Sequence, residues 1–201
     1  MWTLYDRWPR WCRFDNRRYR LHLSFDRVLR VFDIQNDEML TDAEKVDTAL
    51  YVLIGRKRPK DTKKAEKLYS LICKTYIDVV KSKPNAERSL DFKQDAPYIY
   101  AAFYQCYGID LEKQIGKLHW WAFLHLFRGL ADDTRMMQIA RIRTMPIPRP
   151  TKYNAEERIR IIRAKAEHRL QTSEEETQMR MAQAWNKLAD AMKSMANDKD
   201  G

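Results

Sequence analysis

Four histidines and three cysteines are the side chains of this 201-residue chain best suited to hold a metal or act as nucleophiles. Their spacing argues against both roles. His119 and His125 lie six apart, about 240° around a helix, so they cannot share a metal on one face. His22 and His168 stand alone. Cys12, Cys73 and Cys106 form neither a Cys-x-x-Cys pair nor an even disulfide framework, which implies a reduced, cytosolic setting and no zinc site of closely paired ligands. The carboxylates fall mostly at helix starts, where capping accounts for them. No nucleophile elbow, P-loop or dinucleotide fingerprint is present. The expectation is a non-enzymatic protein with no cofactor and no metal.

Charge offers a second kind of chemistry. Lys and Arg total 38 against 28 Asp and Glu, a formal charge of +10. Residues 56–88 alone carry eleven bases against four acids, and Arg56, Lys57, Arg58, Lys60, Lys63, Lys64 and Lys67 form the dense part. Residues 36–55 are acidic, with five acids against one Lys. A basic stripe suits nucleic acid, an acidic protein or anionic lipid, but it is more commonly a solvated helix face. These bases lack the stacking aromatics and glycines of nucleic-acid modules. Trp2, Trp8 and Trp11 alternate with Arg7, Arg10 and Arg13, as in an interfacial peptide. Because they lead directly into a strand pattern, packing against a helical core is the reading preferred.

The elements that must position these groups are helices. Five glycines in 201 residues, against a usual content of about 7%, leave few tight turns. Alternating apolar residues flank Asp15-Asn16 and predict a β-hairpin over 11–23. Ser24 caps a first helix with Phe25, Val28, Leu29 and Phe32 on its stripe. Thr41 and Glu44 form a capping box for a second, with Val46, Leu50 and Leu53, stopped by Gly55. Asp61 or Thr62 opens a third, running to about Ser82 before Pro84. Asp95, with Pro97 in the first turn, opens a helix over 96–107 that is apolar almost all round and so belongs in the centre. Gly108 ends it, and Asp110 opens its hairpin partner, which carries Leu111, Ile115, Leu118, Trp120, Leu124 and Phe127 to Gly129. Asp132 or Asp133 caps a further helix with Met136, Met137, Ile139, Ala140 and Ile142.

Pro146, Pro148 and Pro150 then interrupt regular structure. The expected organisation is a helical core domain over 1–145, a proline-rich linker over 146–152 and two amphipathic helices over 153–201. The last of these places Met181, Trp185, Leu188, Met192 and Met195 at spacings of four and three, a heptad-like seam suited to self-association or to docking a helical partner. Trp120 and Trp121 sit about 100° apart on their helix. Both read as core residues, with Trp120 the alternative interface anchor. The longest apolar stretch, Trp120 to Phe127, is too short to span a membrane, and the opening residues lack the pattern of a secretion signal.

The stretch Asp-Phe-Lys-Gln-Asp-Ala-Pro-Tyr-Ile-Tyr-Ala-Ala-Phe-Tyr-Gln-Cys-Tyr-Gly-Ile-Asp-Leu (91–111) is followed by Leu-His-Trp-Trp-Ala-Phe-Leu-His-Leu-Phe-Arg-Gly-Leu (118–130). With Asp133, Thr134 and Ile-Ala-Arg-Ile-Arg (139–143), these resemble the gene-product-fifteen family of phages infecting Gram-positive bacteria, over about residues 10–145. The resemblance implies a tail assembly chaperone that coats the phage tape-measure protein in the host bacterial cytoplasm and is absent from the mature virion. It also implies other chaperone subunits as partners and a homo-oligomer, with no catalytic residues to carry over. The Met181, Trp185, Leu188 and Met192 seam and Trp120 are the expected partner contacts. A nucleic-acid-binding phage protein using the 56–67 bases, or a structural tail component, is the alternative.

Overall fold

A computed structural model describes residues 3–78 and 89–170 of the chain. It divides into two compact units, Met1–Thr144 and Met145–Gly201. Among the described residues the first holds one two-stranded sheet and six α-helices. Strands β1 (Trp11–Phe14) and β2 (Arg17–Arg20) pair antiparallel, with Cys12 opposite Tyr19 and Arg13 opposite Arg18. Asp15 and Asn16 both take positive φ, 48° and 57°. That is the two-residue turn whose twist suits a hairpin, and Asp and Asn tolerate it better than most residues. Cys12 and Tyr19 are the buried pair on one face, while the arginines point to solvent.

Helices α1 (Phe25–Gln35) and α2 (Asp42–Ile54) form an antiparallel pair. The capping box at α2 is complete: the Glu44 amide donates to Thr41 Oγ1, and the Thr41 amide donates to the Glu44 carboxylate at 2.9 Å. Helix α3 (Thr62–Ile72) is capped by Asp61, which accepts from the Lys64 amide at 2.8 Å. Its regular part ends earlier than the sequence pattern suggested. A wider π-helical turn, Cys73–Ile77, follows, and the end expected near Ser82 lies outside the described residues.

Helix α4 (Ala96–Tyr107) ends on Gly108 in the left-handed region, φ 62°. It pairs with α5 (Trp120–Arg128) as the expected helical hairpin, with two corrections. First, α4 is not buried all round: Ile99, Ala102 and Phe103 face the core, while Tyr98, Tyr100 and Tyr104 are 36%, 40% and 59% exposed. Tyrosine permits this because its hydroxyl remains hydrated at little cost. Second, no continuous helix runs from Asp110. A short 3-10 turn, Glu112–Gln114, leads to Gly116 at φ 73°, whose amide donates to Asp26 at 2.8 Å. A bridge between Ser24 and His119 then sets the start of α5. A positive φ cannot continue a right-handed helix.

Helix α6 (Arg135–Thr144) follows. Its opening group is neither Asp132 nor Asp133 but Thr134, fully buried, whose hydroxyl donates to the Ala131 carbonyl at 2.8 Å and accepts from the Met137 amide. Phe123 lies at the centre of the core, stacked at 5.1 Å on both Phe25 and Phe103 and at 5.6 Å on Trp120. Leu50, Leu53, Leu68, Ile72, Met136 and Ile139 fill the remainder and are fully buried. In the second unit, Ala155–Glu167 forms α7, with Ile159 and Ile162 largely exposed. The second helix expected within 153–201, and with it Met181, Trp185, Leu188, Met192 and Met195, lies outside the described residues.

Candidate partner-binding surfaces

The basic residues singled out in sequence occupy the α2–α3 connector and the exposed side of α3. Two of them are paired. Arg58 forks onto Asp47, at 2.5 and 2.7 Å, and lies over the Tyr51 ring at 5.1 Å. Lys64 reaches Asp15 in the hairpin turn at 2.6 Å. Arg56, Lys57, Lys60, Lys63 and Lys67 are exposed and have no carboxylate partner among the described residues.

The Lys64–Asp15 contact joins two basic segments that are far apart in sequence. Arg13 and Arg18 stand directly opposite each other on the exposed side of the hairpin, and Arg17 pairs with Phe14. Like charges facing across a strand pair destabilise it. Arg18 also covers the ring of Trp11, 4.9 Å away, and leaves that indole half exposed. The structure therefore brings the hairpin turn and Arg17 against Lys60 and Lys64 of the connector and α3, which the sequence showed only as two separate runs.

Trp120 takes the core alternative. It is 3% exposed, and its indole N–H donates to the Ile77 carbonyl at 3.1 Å. Trp121 donates likewise to the Tyr76 carbonyl at 2.8 Å. Both acceptors lie at the C-terminal end of the π-helical turn, where the last carbonyls of a helical segment have no partner within it. The Trp-Trp pair thus fixes α5 against the end of α3.

Sequence reading missed an imidazole–indole cluster. Trp8 stacks on His119 at 5.6 Å and on His125 at 6.0 Å, and meets Trp121 edge-on at 6.0 Å. His119 caps α5: its Nδ1 accepts from the Trp121 amide at 3.1 Å, which requires the neutral ring to carry its proton on Nε2, facing the Pro9 carbonyl at 3.2 Å. Burial holds the His119 pKa below its ordinary 6.5, and the nearby Arg10 adds to that against the Pro9 bond. Of the N-terminal aromatics expected to pack on the helical core, Trp8 does so, Trp11 is half exposed beneath Arg18, and Trp2 lies outside the described residues. The missed signal was that His119 directly precedes the Trp120 start of a helix.

Two of the cysteines have thiols that burial disfavours as thiolates. Burial pushes the Cys12 and Cys73 thiols up, the opposite of the low pKa that makes a thiolate nucleophile. Among the described residues, no group of three or more His, Cys, Asp or Glu is placed to hold a metal ion, and no helix is long and apolar enough to cross a membrane.

Searches against curated proteins and against solved structures returned no match. The family model described as Bacteriophage Gp15 protein matches residues 4–170, spanning the hairpin, the helical core and α7. The chain belongs to the Bacteriophage Gp15 protein family.

Proposed function

We propose that the chain is a phage tail assembly chaperone. It binds the tape-measure protein during tail morphogenesis in the host bacterial cytoplasm, works as an oligomer with other tail assembly chaperone subunits, and leaves before the virion is complete. The observation that carries this reading is membership of the Bacteriophage Gp15 protein family over 4–170. Physical support comes from surfaces suited to protein contact: the exposed tyrosines of α4, of which Tyr100 and Tyr104 stack at 6.5 Å, and a basic face able to attract an acidic client. The heptad-like seam at Met181, Trp185, Leu188 and Met192 is the first candidate for the client contact. Deleting the gene should leave filled heads without tails, and purified virions should lack the protein. Stoichiometric protein in virions would instead make it a structural tail component.

A second reading, a nucleic-acid-binding phage protein, draws on the meeting of Arg17 with Lys60 and Lys64 of the 56–67 bases. It requires affinity for nucleic acid that falls steeply with salt and is lost on reversing Lys60, Lys63 and Lys67. Salt-insensitive capture of the tape-measure protein, without any nucleic-acid shift, decides against it.

A further inference from the structure

The α1–α2 pair carries opposite charge at its two ends. Where α1 begins and α2 finishes, a groove of about 410 Å³ opens. Its apolar lining includes Trp8, Leu21 and Leu118, its cationic lining is Arg10, Arg20, Arg27 and Lys117, and no Asp or Glu lines it. Backbone contacts fix its place: the His22 amide donates to the Leu53 carbonyl at 2.8 Å, and Arg27 donates to the Val52 carbonyl at 2.8 Å, both in the last turn of α2. Arg10, Arg20 and Lys117 are exposed and without a carboxylate partner among the described residues. The nearby Asp26 is engaged by the Gly116 amide. The concentrated positive charge is felt by the imidazole in the wall: burial lowers the His22 pKa, and Arg27 and Arg20 lower it further.

The opposite end has the complementary character. The α1–α2 loop and the first turn of α2 expose Asp37, Glu38, Asp42 and Glu44 around Met39, which is 90% exposed. Glu44 serves the capping box, and Asp37 accepts from the Met39 amide at 2.9 Å. Glu38 and Asp42 have no cationic partner among the described residues. An exposed apolar side chain among acidic residues of the loop and helix start thus marks one end, and a partly apolar groove lined by cations the other. The 13 residues of α2 span about 20 Å, so the acidic tip cannot fold into the groove of its own chain.

We infer that the acidic tip of one copy docks in the basic groove of the next, with Met39 on the apolar lining and Glu38 and Asp42 against Arg10, Arg20 and Lys117. Tip and groove are different surfaces, so the contact is head-to-tail and builds a ring if the rotation closes or a filament if it does not. The inference rests only on the oligomeric part of the proposed function. A monomeric chaperone would end it without affecting tape-measure binding, which deletion and capture test separately.

Sedimentation velocity on the full chain tests it, with circular dichroism melting as the control for folding. The wild-type chain should self-associate, with affinity about tenfold or more weaker at high salt than at low. The pair Glu38→Lys/Asp42→Lys and the pair Arg20→Glu/Lys117→Glu should each be monomeric alone, and an equimolar mixture should associate again as an alternating assembly. If a reversed pair fails to fold, Glu38→Gln/Asp42→Asn and Arg20→Gln/Lys117→Gln should still weaken association about tenfold. A monomeric wild-type chain overturns the inference. So does association that survives either reversal, or a mixture that does not reassociate. A monomer that captures a Glu-rich peptide through the groove also overturns it, by assigning that groove to another protein.

Discussion

The α4–α6 interior and the two ends of the α1–α2 pair treat charge in opposite ways. In the interior, Arg143 forks onto Asp95 at 2.6 and 2.8 Å, with the arginine 9% and the aspartate 0% exposed. Asp95 also accepts from the Asp91 amide at 2.9 Å, and Arg143 donates to the Ser89 carbonyl at 3.0 Å. Ions taken out of water must be matched in this way. At the ends of the α1–α2 pair, and across the hairpin, cations cluster with cations and acids with acids. Folding does not require those arrangements, and they are the surfaces that the inferred tip-to-groove contact and the proposed anion binding would use.

The largest expected effect tests the interior. Asp95→Ala should cost about 3–5 kcal/mol, because it strands the buried Arg143 guanidinium. Replacing both residues by apolar ones, as in Asp95→Leu with Arg143→Met, should recover most of the loss, measured by urea unfolding. A double variant no more stable than the single one would sink the account of a stranded charge.

A smaller effect follows from the neutral imidazoles. His119 and His22 are held below 6.5 in the fold, first by burial. The unfolded chain therefore binds protons at these positions near pH 6.5 while the folded chain does not. Stability should be level above that pH, fall as pH drops from about 6.5 toward the folded pKa values, and level off below them. A protonated His119 would also lose the Nδ1 acceptor that caps α5. In a His119→Asn variant, which keeps a capping acceptor, the fall should be shallower. An unchanged slope would remove His119 from the explanation.

Two helix starts that look alike in sequence separate next. Thr41→Ala should cost about 1 kcal/mol, since the hydroxyl accepts from the Glu44 amide. Ser24→Ala should be close to neutral, both measured by thermal melting. The Ser24 hydroxyl is buried without a hydrogen-bond partner, and its backbone serves the bridge to His119. Equal losses at the two positions would contradict this distinction.

What was legible in sequence had local causes. The hairpin turn at Asp15-Asn16, the Thr41–Glu44 box and the stops at Gly55 and Gly108 each depend on residues within a few positions of one another. The missed features are contacts across long separations. Arg143 falls on the stripe of Met136 and Ile139, a place for a cation only if a carboxylate is buried opposite, but nothing local names Asp95, 48 residues earlier. Asp95 was read as a helix cap, and its carboxylate instead makes no side-chain bond to its own helix start. The break at Gly116 was legible but was outweighed by the apolar stripe running through it. The basic face had its connector half in plain view, whereas the hairpin half joined it only through the Lys64–Asp15 contact, 49 residues apart.

The smallest effect bears most directly on function. Arg13 faces Arg18 across the hairpin and neither has a carboxylate partner among the described residues, so Arg13→Thr should stabilise the fold by a few tenths of a kcal/mol, about 1 at most, and only at low salt. Thr keeps the β propensity of the position, which leaves removal of repulsion as the difference. The same variant should bind a polyanion such as heparin more weakly than the wild-type chain. Gain in stability together with loss of anion affinity would mean that the hairpin keeps its arginines at the expense of its own fold, as a binding surface does. Loss of stability at low salt would mean that Arg13 holds the hairpin together, and the contrast with Asp95 and Arg143 would then be confined to the ends of the α1–α2 pair.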